Sequence, residues 1–447
     1  MRHDLPYSPD LGSQLRQYFR PADRSVWLRL DSGRQEVFCA YPVDTLVLSN
    51  QAINKESRGG SLTKSYTEAA WQTARELLAK LPLATALADL PFRGGLAGFL
   101  GYDASPDTAG TGFPVAFLGL FPHFIHVNHT RQTAEFVCLP GFKEEAAHWN
   151  PVFDFVAGVT KSVIPSCGFH LTEAFKPLTS PARYREDFHR IQHYLRNGDC
   201  YQVNYAQAFR ARCAGSSATA MDRLLAETNP AYAAWVSLPE GDILSLSPEL
   251  FLRVEGGRVT TRPIKGTAPR SSDPLEDQRL RKHLASSAKN RAENLMIVDL
   301  LRHDIGQHAE TGTVRVEKLF EVESLPQVHH LVSTVTCDLK KDSHVIDLIR
   351  DSFPGGSITG APKKRAMEII EELEPTRRSI YCGSIGFINT DGDAQLNIAI
   401  RSLLRLGDDI YAWAGGGIVA DSECQSEYEE CFHKMGAVMR ALESMEG

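Results

Sequence analysis

The chain has 447 residues, of which 43% are hydrophobic and 23% charged, and this is the composition of an ordinary folded protein. At roughly 100 to 200 residues per domain, the length predicts two to four domains or one large interleaved unit. The formal net charge is −7, so no overall positive field exists to attract nucleic acid. We therefore expect no nucleic-acid partner, and any anionic ligand must be held by local charges.

The cysteines and the apolar stretches bear on the location of the protein. Nine cysteines are scattered without a C-x-x-C pair, which fits neither a disulfide framework nor a thiolate zinc site. The most apolar stretches, Val115 to Val127 and Leu295 to Leu301, are interrupted by polar residues and fall short of the about 20 residues that cross a membrane. The first ten residues lack the apolar core of a secretory signal. We expect a cytoplasmic protein with no membrane partner.

The first part of the chain predicts mixed sheet with few helices. Alternating apolar residues predict strands from Ser25 to Leu30 and from Glu36 to Ala40, joined by a turn at Asp31-Ser32-Gly33. Helical spacing of apolar residues predicts a helix from Ser65 to Lys80, which Pro82 ends.

A proline-containing segment at Pro177 to Pro181 is typical of a linker, and we divide the chain near it into residues 1–175 and 176–447. In the second region, helices alternate irregularly with strands, which is an α+β pattern. The predicted helices are Tyr184 to Asn197, Asp277 to His303, Lys363 to Leu373 and Ser426 to Met445, and the clearest strands are Arg258 to Ile264 and Ile410 to Ala414.

One carboxylate lies in an unusually apolar helical segment. The residues around Glu293 are apolar almost all round, as in a buried helix, and Glu293 shares a face with Ile297 and Leu300. A carboxylate there is costly unless it is paired or bound to a cation. From the residues alone, a salt bridge to an arginine explains Glu293 as well as a metal does.

Two more carboxylates begin the last predicted helix. Glu427 and Glu430 are three residues apart and so lie on one face. Taken alone they are more typical of a solvated face, on which Glu430 and Lys434 form an ordinary ion pair. If Glu430 met Glu293, however, the two carboxylates with water would suit Mg²⁺.

Two glycine-rich segments offer backbone groups to a ligand. The segment from Pro354 to Lys363 leads into a helix whose amide groups could hold an anion, although Ala361 stands where a nucleotide-binding loop needs lysine. The segment from Ala414 to Ile418 follows a strand, where glycines either let the backbone approach a ligand or form a β-bulge, and in isolation the pattern favours the bulge.

Lys265 lies between an apolar strand end and a Gly-Thr turn. A lysine in partly desolvated surroundings can lose its proton and become an amine nucleophile. Most lysines at such turns are simply solvated, so the position alone leaves both interpretations open.

In this order, these segments resemble the chorismate-utilising enzymes, and among them the aminodeoxychorismate synthase component I group. The matching strings of the second region are Gly198 to Asn204, Leu246 to Glu249, Arg262 to Thr267, Ala288 to Gly306, Val328 to Thr334, Pro354 to Glu374 and Ala414 to Ser422. The first region is similar more loosely, through Phe92 to Asp103 and the Asp31 turn. The resemblance implies an α+β fold in which two large antiparallel sheets form a sandwich flanked by helices, with both sequence regions interleaved.

The resemblance also implies a site in the second region. Glu293 and Glu430 would be Mg²⁺ ligands with Glu427 beside them, and the metal would hold the ring carboxylate of chorismate. The residues implied to bind substrate are Arg401, Tyr381, Gly417, Ser357, Gly356, His330 and Gln202.

Two positions distinguish the reactions of the family. Anthranilate synthases usually carry alanine at the position of Lys265, whereas isochorismate and salicylate synthases carry lysine at the position of Gln202. The resemblance therefore implies amination of chorismate at C4 to 4-amino-4-deoxychorismate, for 4-aminobenzoate and folate biosynthesis. Lys265 would be the nucleophile at C2 and Glu249 the acid/base. The alternatives are an anthranilate synthase component I and, from another class, a non-catalytic ligand-binding protein.

Amination needs a source of ammonia, and the family uses a separate glutamine amidotransferase subunit. This sequence has no recognisable glutaminase segment with a cysteine nucleophile. We therefore expect a heteromeric partner that hydrolyses glutamine and passes ammonia across the interface.

Overall fold

The computed structural model describes residues 1–49, 52–55, 68–102, 113–159 and 168–445. Its helices are α1 (Leu11–Tyr18), α2 (Glu68–Leu78), α3 (Asn150–Val156), α4 (Pro181–Arg196), α5 (Ser217–Thr228), α6 (Pro274–Ser286), α7 (Ala288–Gly306), α8 (Val345–Ser352), α9 (Lys363–Leu373) and α10 (Cys424–Glu443). No helix among these described residues is both long and apolar enough to cross a membrane.

The strands fall in both sequence regions. Those of the first region are β1 (Arg2–Leu5), β2 (Ser25–Leu30), β3 (Gln35–Cys39), β4 (Asp44–Ser49), β5 (Ala52–Lys55), β6 (Gly95–Leu100), β7 (Ala116–Phe121), β8 (His123–Asn128), β9 (Thr133–Cys138) and β10 (Phe169–Pro177). Those of the second are β11 (Gln202–Gly215), β12 (Tyr232–Leu238), β13 (Gly241–Ser247), β14 (Leu250–Glu255), β15 (Arg258–Arg262), β16 (Ile264–Pro269), β17 (Arg315–Ser324), β18 (Val328–Asp338), β19 (Gly360–Ala361), β20 (Ser384–Asn389), β21 (Ala394–Asn397), β22 (Ser402–Leu406) and β23 (Asp409–Ile418).

These strands form two antiparallel sheets. The first has the order β1-β9-β8-β3-β2-β12-β13-β22-β23-β11-β10, with β19 on β11. The second has the order β16-β18-β15-β14-β21-β20-β6-β7-β4-β5, with β17 on β18. One hydrophobic core takes side chains from both sheets and from the helices. The predicted α+β sandwich is confirmed.

Strands from the two sequence regions pair with each other in each sheet. In the first sheet β2 pairs with β12, placing Val26 opposite Val236, and in the second β6 pairs with β20, placing Leu96 opposite Ile388. All four side chains are buried. The predicted interleaving is confirmed, while the division at residue 175, which lies within β10, stays a prediction.

Two predicted helices and one predicted strand need correction. α4, α9 and α10 agree with their predicted bounds to within three residues. α2 ends at Leu78, two residues before its predicted end, and residues 65–67 of that prediction lie outside the described residues. The strand predicted from Arg258 to Ile264 is divided at Pro263, because β15 ends at Arg262 and Ile264 begins β16.

The single helix predicted from Asp277 to His303 is wrong, because Ser287 separates α6 from α7. Its ψ of 112° is not helical, and its hydroxyl accepts a bond from the Asn290 amide at 3.3 Å.

The composition of the segment around Glu293 predicts a helix that is buried on all sides, and this prediction is wrong. α7 buries Ile297 and Leu301, but Leu295 is 52% exposed. Glu293 is therefore half-buried at the edge of the buried face. A carboxylate at this edge can meet both a protein cation and a ligand.

The β-bulge that the glycines of Ala414 to Ile418 favour is also wrong. β23 pairs with β11 in unbroken register from Asp409 opposite Arg212 to Ile418 opposite Val203. A Cβ at Gly415 would overlap the carbonyl oxygen of Tyr205 on the neighbouring strand. The glycine is needed because the two backbones come so close at this point.

The interleaved core predicts how truncation of a buried leucine affects the whole chain. Leu28 of β2 lies opposite Ala234 of β12 and is 3% exposed. Leu28→Ala should lower the free energy of unfolding by about 2 to 5 kcal/mol. The matched Leu83→Ala, at a residue 67% exposed, should change it by less than about 0.5 kcal/mol. Urea denaturation measures both, and equal effects of the two variants would contradict the assignment of Leu28 to a shared core.

Candidate active site

Ser357 joins the two residues that the sequence predicts to be catalytic. It lies in a short 3₁₀ turn, Gly356–Ile358, between α8 and β19. Its hydroxyl donates to Glu249 Oε1 at 2.6 Å, and its carbonyl oxygen accepts from Lys265 Nζ at 3.1 Å. A carboxyl group from the residue directly before β14 and an amine from β16 thus meet at one residue of the glycine-rich segment.

The carboxyl group of Glu249 is held rigidly away from water. Glu249 is 5% exposed, its backbone amide donates to Ser247 Oγ at 3.1 Å, and its carbonyl oxygen accepts from the Ile398 amide at 3.0 Å. Burial raises its pKa to about 7, against the opposing effects of the Ser357 hydrogen bond and the charge of Lys265. A carboxyl with this pKa can donate or accept a proton near neutral pH.

The amine of Lys265 is shifted toward its neutral form. Desolvation lowers the pKa of Lys265 and nearby Lys434 adds to this, while the carboxylates of Glu293, Glu249 and Glu430 act in the opposite direction. The net lowering increases the fraction of unprotonated amine, which is the nucleophilic form.

The three carboxylates predicted to bind metal lie in the same part of the molecule. Lys289 Nζ is 4.0 Å from Glu293 Oε1 on α7 and 3.9 Å from Glu427 Oε1 on α10. A Cβ at Gly416 would be 2.8 Å from Glu427 Oε2 and 3.5 Å from Glu430 Oε1, so both side chains of α10 lie over β23 at that glycine. The structure brings Glu293, Glu427 and Glu430 together.

Two lysines offset part of the negative charge of this group. Glu430 Oε1 is 2.5 Å from Lys434 Nζ, which confirms the ion pair expected from their spacing. Burial acts to raise the pKa of Glu430, but Lys434 and Lys289 more than offset it, so this pKa lies below its usual value. Burial raises the pKa of Glu427, although Ser422 donates to its Oε1 at 2.7 Å.

The donor atoms of this group fit Mg²⁺ chemically. Among the described residues, no three His, Cys, Asp or Glu side chains are already arranged to hold a metal ion. Mg²⁺ usually takes only one or two protein carboxylates and completes its shell with water and substrate oxygens. The ammonium group of Lys289, at ion-pair distance from both Glu293 and Glu427, shows that this place favours positive charge.

Two polar side chains near the site are buried with unpartnered atoms. His330 is 3% exposed; its Nδ1 lies 2.9 Å from Thr267 Oγ1, and its Nε2 has no hydrogen-bond partner among the described residues. Burial lowers the pKa of His330 to about 4, and the charge of Arg401 adds to this. A neutral imidazole with a free nitrogen is costly to bury and suits a ligand that hydrogen-bonds to it.

Gln202 is the second such side chain. It is fully buried on β11, and neither Oε1 nor Nε2 has a partner within the described part of the chain. The side chain lies against Gly417, where a Cβ would be 2.7 Å from Gln202 Nε2. These two predicted binding residues are therefore neighbours, and the amide of Gln202 is available to a ligand.

The remaining predicted binding residues have less direct contacts. Gly356 packs on α7, where a Cβ would be 2.5 Å from Leu300 Cδ2. Arg401 is half-buried, and desolvation lowers its pKa. Tyr381 is 4% exposed, and burial raises its pKa well above the usual range. Their roles toward substrate stay predictions, as do those of every residue in this site.

Sequence reasoning missed several groups that shape the site. Lys289 has a sequence signal, since it precedes Glu293 by one helical turn. Thr267 has none, because only the pairing of β16 with β18 sets it opposite His330.

Comparison with known proteins identifies the family of this chain. The family model described as chorismate binding enzyme matches residues 23–440. Aminodeoxychorismate synthase component 1 of Salmonella typhimurium is 41% identical and is aligned over 98% of both chains. The protein of the same name from Escherichia coli is 41% identical over 95% of both chains.

Solved structures share the fold. Anthranilate synthase component I of Streptococcus pneumoniae superposes with a TM-score of 0.80 and 29% identity, over 91% of this chain and 92% of that one. The menaquinone-specific isochorismate synthase of Escherichia coli superposes with a TM-score of 0.78 over 99% of this chain and 94% of that one, and at 20% identity it shows the fold alone.

The buried carboxyl of Glu249 predicts a pH-dependent loss of stability. Its pKa of about 7 in the folded state lies above that of an unfolded glutamate. Protonation therefore stabilises the folded protein at low pH, and this contribution is lost as pH rises through about 7. Relative to Glu249→Gln, the wild type should lose about 3 kcal/mol of unfolding free energy between pH 4.5 and 8.

Urea denaturation at several pH values tests this expectation. Glu240→Gln, at an exposed turn residue, is the matched control and should follow the wild type at every pH. If the unfolding free energies of the wild type and Glu249→Gln change in parallel with pH, the carboxyl of Glu249 does not titrate in this range.

Proposed function

This chain belongs to the chorismate binding enzyme family, and we propose that it aminates chorismate at C4 to give 4-amino-4-deoxychorismate, for 4-aminobenzoate and folate biosynthesis. The observation that carries the proposal is the contact of Lys265 and Glu249 with one serine, Ser357. In this proposal Lys265 is the amine nucleophile, and Glu249, whose pKa burial raises to about 7, is the proton donor. The aminodeoxychorismate synthase component 1 relatives, 41% identical over nearly the whole chain, support the same reaction.

In the first half-reaction, the neutral amine of Lys265 adds to C2 of chorismate. The ring double bonds shift and the bond between C4 and its hydroxyl breaks. Glu249 gives its proton to the departing hydroxyl, which leaves as water, and the resulting carboxylate then takes a proton from the new C2 ammonium. The lysine is left as a secondary amine on C2.

In the second half-reaction, ammonia adds to C4 and the double bonds shift back. The bond between C2 and Lys265 breaks, and the proton released by the C4 ammonium is returned to the leaving amine through Glu249. The net change is chorismate plus ammonia to 4-amino-4-deoxychorismate plus water, and both residues are regenerated.

The other predicted residues hold the substrate in this scheme. Arg401 and Tyr381 bind the side-chain carboxylate with the backbone at Gly417, while His330 and Gln202 use their free polar atoms to orient the ring. Gly356 and Ser357 contact the opposite end of the substrate. Mg²⁺ held by Glu293 and Glu430, with Glu427 beside them, would supply positive charge to the ring carboxylate.

Ammonia is supplied in this proposal by a second chain, a glutamine amidotransferase. The relatives support this through their names, which describe them as one component of a synthase. A cytoplasmic location likewise remains a prediction from the cysteine pattern.

The identity of the product tests the function. The purified chain, given chorismate, Mg²⁺ and ammonium salt, should form 4-amino-4-deoxychorismate, identified by chromatography and mass. Anthranilate, recognised by its fluorescence, would instead support the alternative that the sequence leaves open, an anthranilate synthase component I. A relative of that name from Aquifex aeolicus is 43% identical over 59% of this chain, so the assay has to separate the two products.

The nucleophile has its own test. Lys265→Ala should lower the rate of amination by about 100-fold to 10,000-fold or more, because addition at C2 is lost. With chorismate and no ammonia, the wild type should gain the mass of chorismate minus water on the peptide that contains Lys265. The matched variant Lys341→Ala, at an exposed residue, should keep both the wild-type rate of amination and the mass gain on the peptide that contains Lys265. Undiminished turnover by Lys265→Ala would rule out covalent catalysis.

A further inference from the structure

A buried arginine lies behind Ser357 and bonds to two neighbouring backbone segments. Arg378 is 1% exposed, and its guanidinium donates to the carbonyl oxygens of Ile358 at 3.0 Å and Asn204 at 2.5 Å. It also donates to both carboxylate oxygens of Glu374, at 2.9 and 2.7 Å. We name Arg378, Glu374 and Asn204 the arginine clamp.

The clamp fixes the backbone that directly follows Ser357. The Ile358 carbonyl oxygen accepts from Arg378 and also from Asn204 Nδ2, the latter at 2.8 Å. The backbone amide of Asn204 donates to the Thr359 carbonyl oxygen at 2.8 Å. With these three bonds, the chain on the C-terminal side of Ser357 has little freedom to rotate.

Glu374 extends the same network into the first sheet. It follows α9 directly and accepts from the Ala206 amide of β11 at 2.8 Å. β11 also carries Gln202, whose free amide belongs to the candidate site. One buried ion pair therefore connects the glycine-rich turn to a strand of the binding site.

We propose that the arginine clamp is a positioning group for the amination: by holding the Ile358 carbonyl, it keeps Ser357 where it contacts both Lys265 and Glu249. This inference rests on the proposed function of those two residues. The hydrogen bonds of the clamp lead to Lys265 and Glu249 through the turn that carries Ser357, and the Arg378 guanidinium also lies 5.8 Å from the centre of the Tyr381 ring.

The geometry requires arginine rather than a positive charge alone. Guanidinium presents five N–H donors in a planar fork and can bind two carbonyl oxygens and a carboxylate at once. A lysine at 378 would keep the charge beside Glu374 but could not reach all of these acceptors together. Arg378→Lys thus preserves the buried ion pair while it loosens the turn.

The experiment compares Arg378→Lys, Ser357→Ala and the double variant in chorismate amination with ammonium. Arg378→Lys should lower kcat by about 10-fold to 100-fold, because a displacement of about 1 Å has effects of this size. In the pH profile of kcat, the limb that reports the ionisation of Glu249 should move to higher pH. The reason is that Arg378→Lys weakens the Ser357 hydrogen bond, which lowers the pKa of Glu249 in the wild type. Arg377→Lys, at an adjacent side chain 44% exposed, is the matched control and should behave as the wild type.

The double variant separates positioning from a general loss of structure. If the clamp acts through Ser357, the double variant should fall within about twofold of Ser357→Ala. The inference would be overturned if the losses of kcat in Arg378→Lys and Ser357→Ala multiply in the double variant. It would also be overturned if the pH profile of kcat is unshifted in Arg378→Lys. A wild type that forms no 4-amino-4-deoxychorismate would refute the proposed function instead.

Asn204→Ala provides a second test of the clamp that leaves the ion pair between Arg378 and Glu374 intact. It removes one of the two donors to the Ile358 carbonyl and should lower kcat with the same non-additivity toward Ser357→Ala. Thermal melting checks that each variant is folded at the assay temperature. If Arg378→Lys is not folded at that temperature, the comparison of Asn204→Ala, Ser357→Ala and their double variant decides. Independent losses of kcat that multiply in that double variant would overturn the inference.

Discussion

The desolvation of Glu249 is the constraint on which the rest of the site depends. A buried carboxyl is tolerated here because its raised pKa of about 7 leaves a large protonated fraction near neutral pH and because Ser357 and Lys265 lie beside it. The same desolvation makes the Lys265 amine easier to deprotonate. Exclusion of water thus shifts the pKa of both the acid and the nucleophile toward neutral pH. The glycine-rich turn must be held in place because both groups contact its Ser357.

The carboxylates on α7 and α10 follow a different principle. Glu293, Glu427 and Glu430 can stay together because Lys289 and Lys434 offset part of their negative charge. In a chain of net charge −7, the charge at this place is thus set by these nearby lysines and carboxylates and not by the overall field.

Prediction from sequence succeeded where the signal is local and failed where it is not. The periodicity of α9 and of β2 set their bounds correctly, because helix and strand spacing depend on neighbouring residues. The break at Ser287 is not predicted, since helix-forming residues such as Ala285 and Ala288 lie on both sides of it. The glycines of β23 suggest a bulge, because close approach of a second strand cannot be read from one segment.

The sequence by itself determined the chemical types of the site: a lone lysine, a glutamate after a strand, a glycine-rich turn and carboxylates one helical turn apart. Tertiary structure alone decided that Lys265 and Glu249 share Ser357, that Thr267 faces His330, and that Arg378 supports the turn. The reason is physical. Residue type and local spacing are properties of short segments, whereas burial, pKa and contact depend on strand register between segments far apart in the chain.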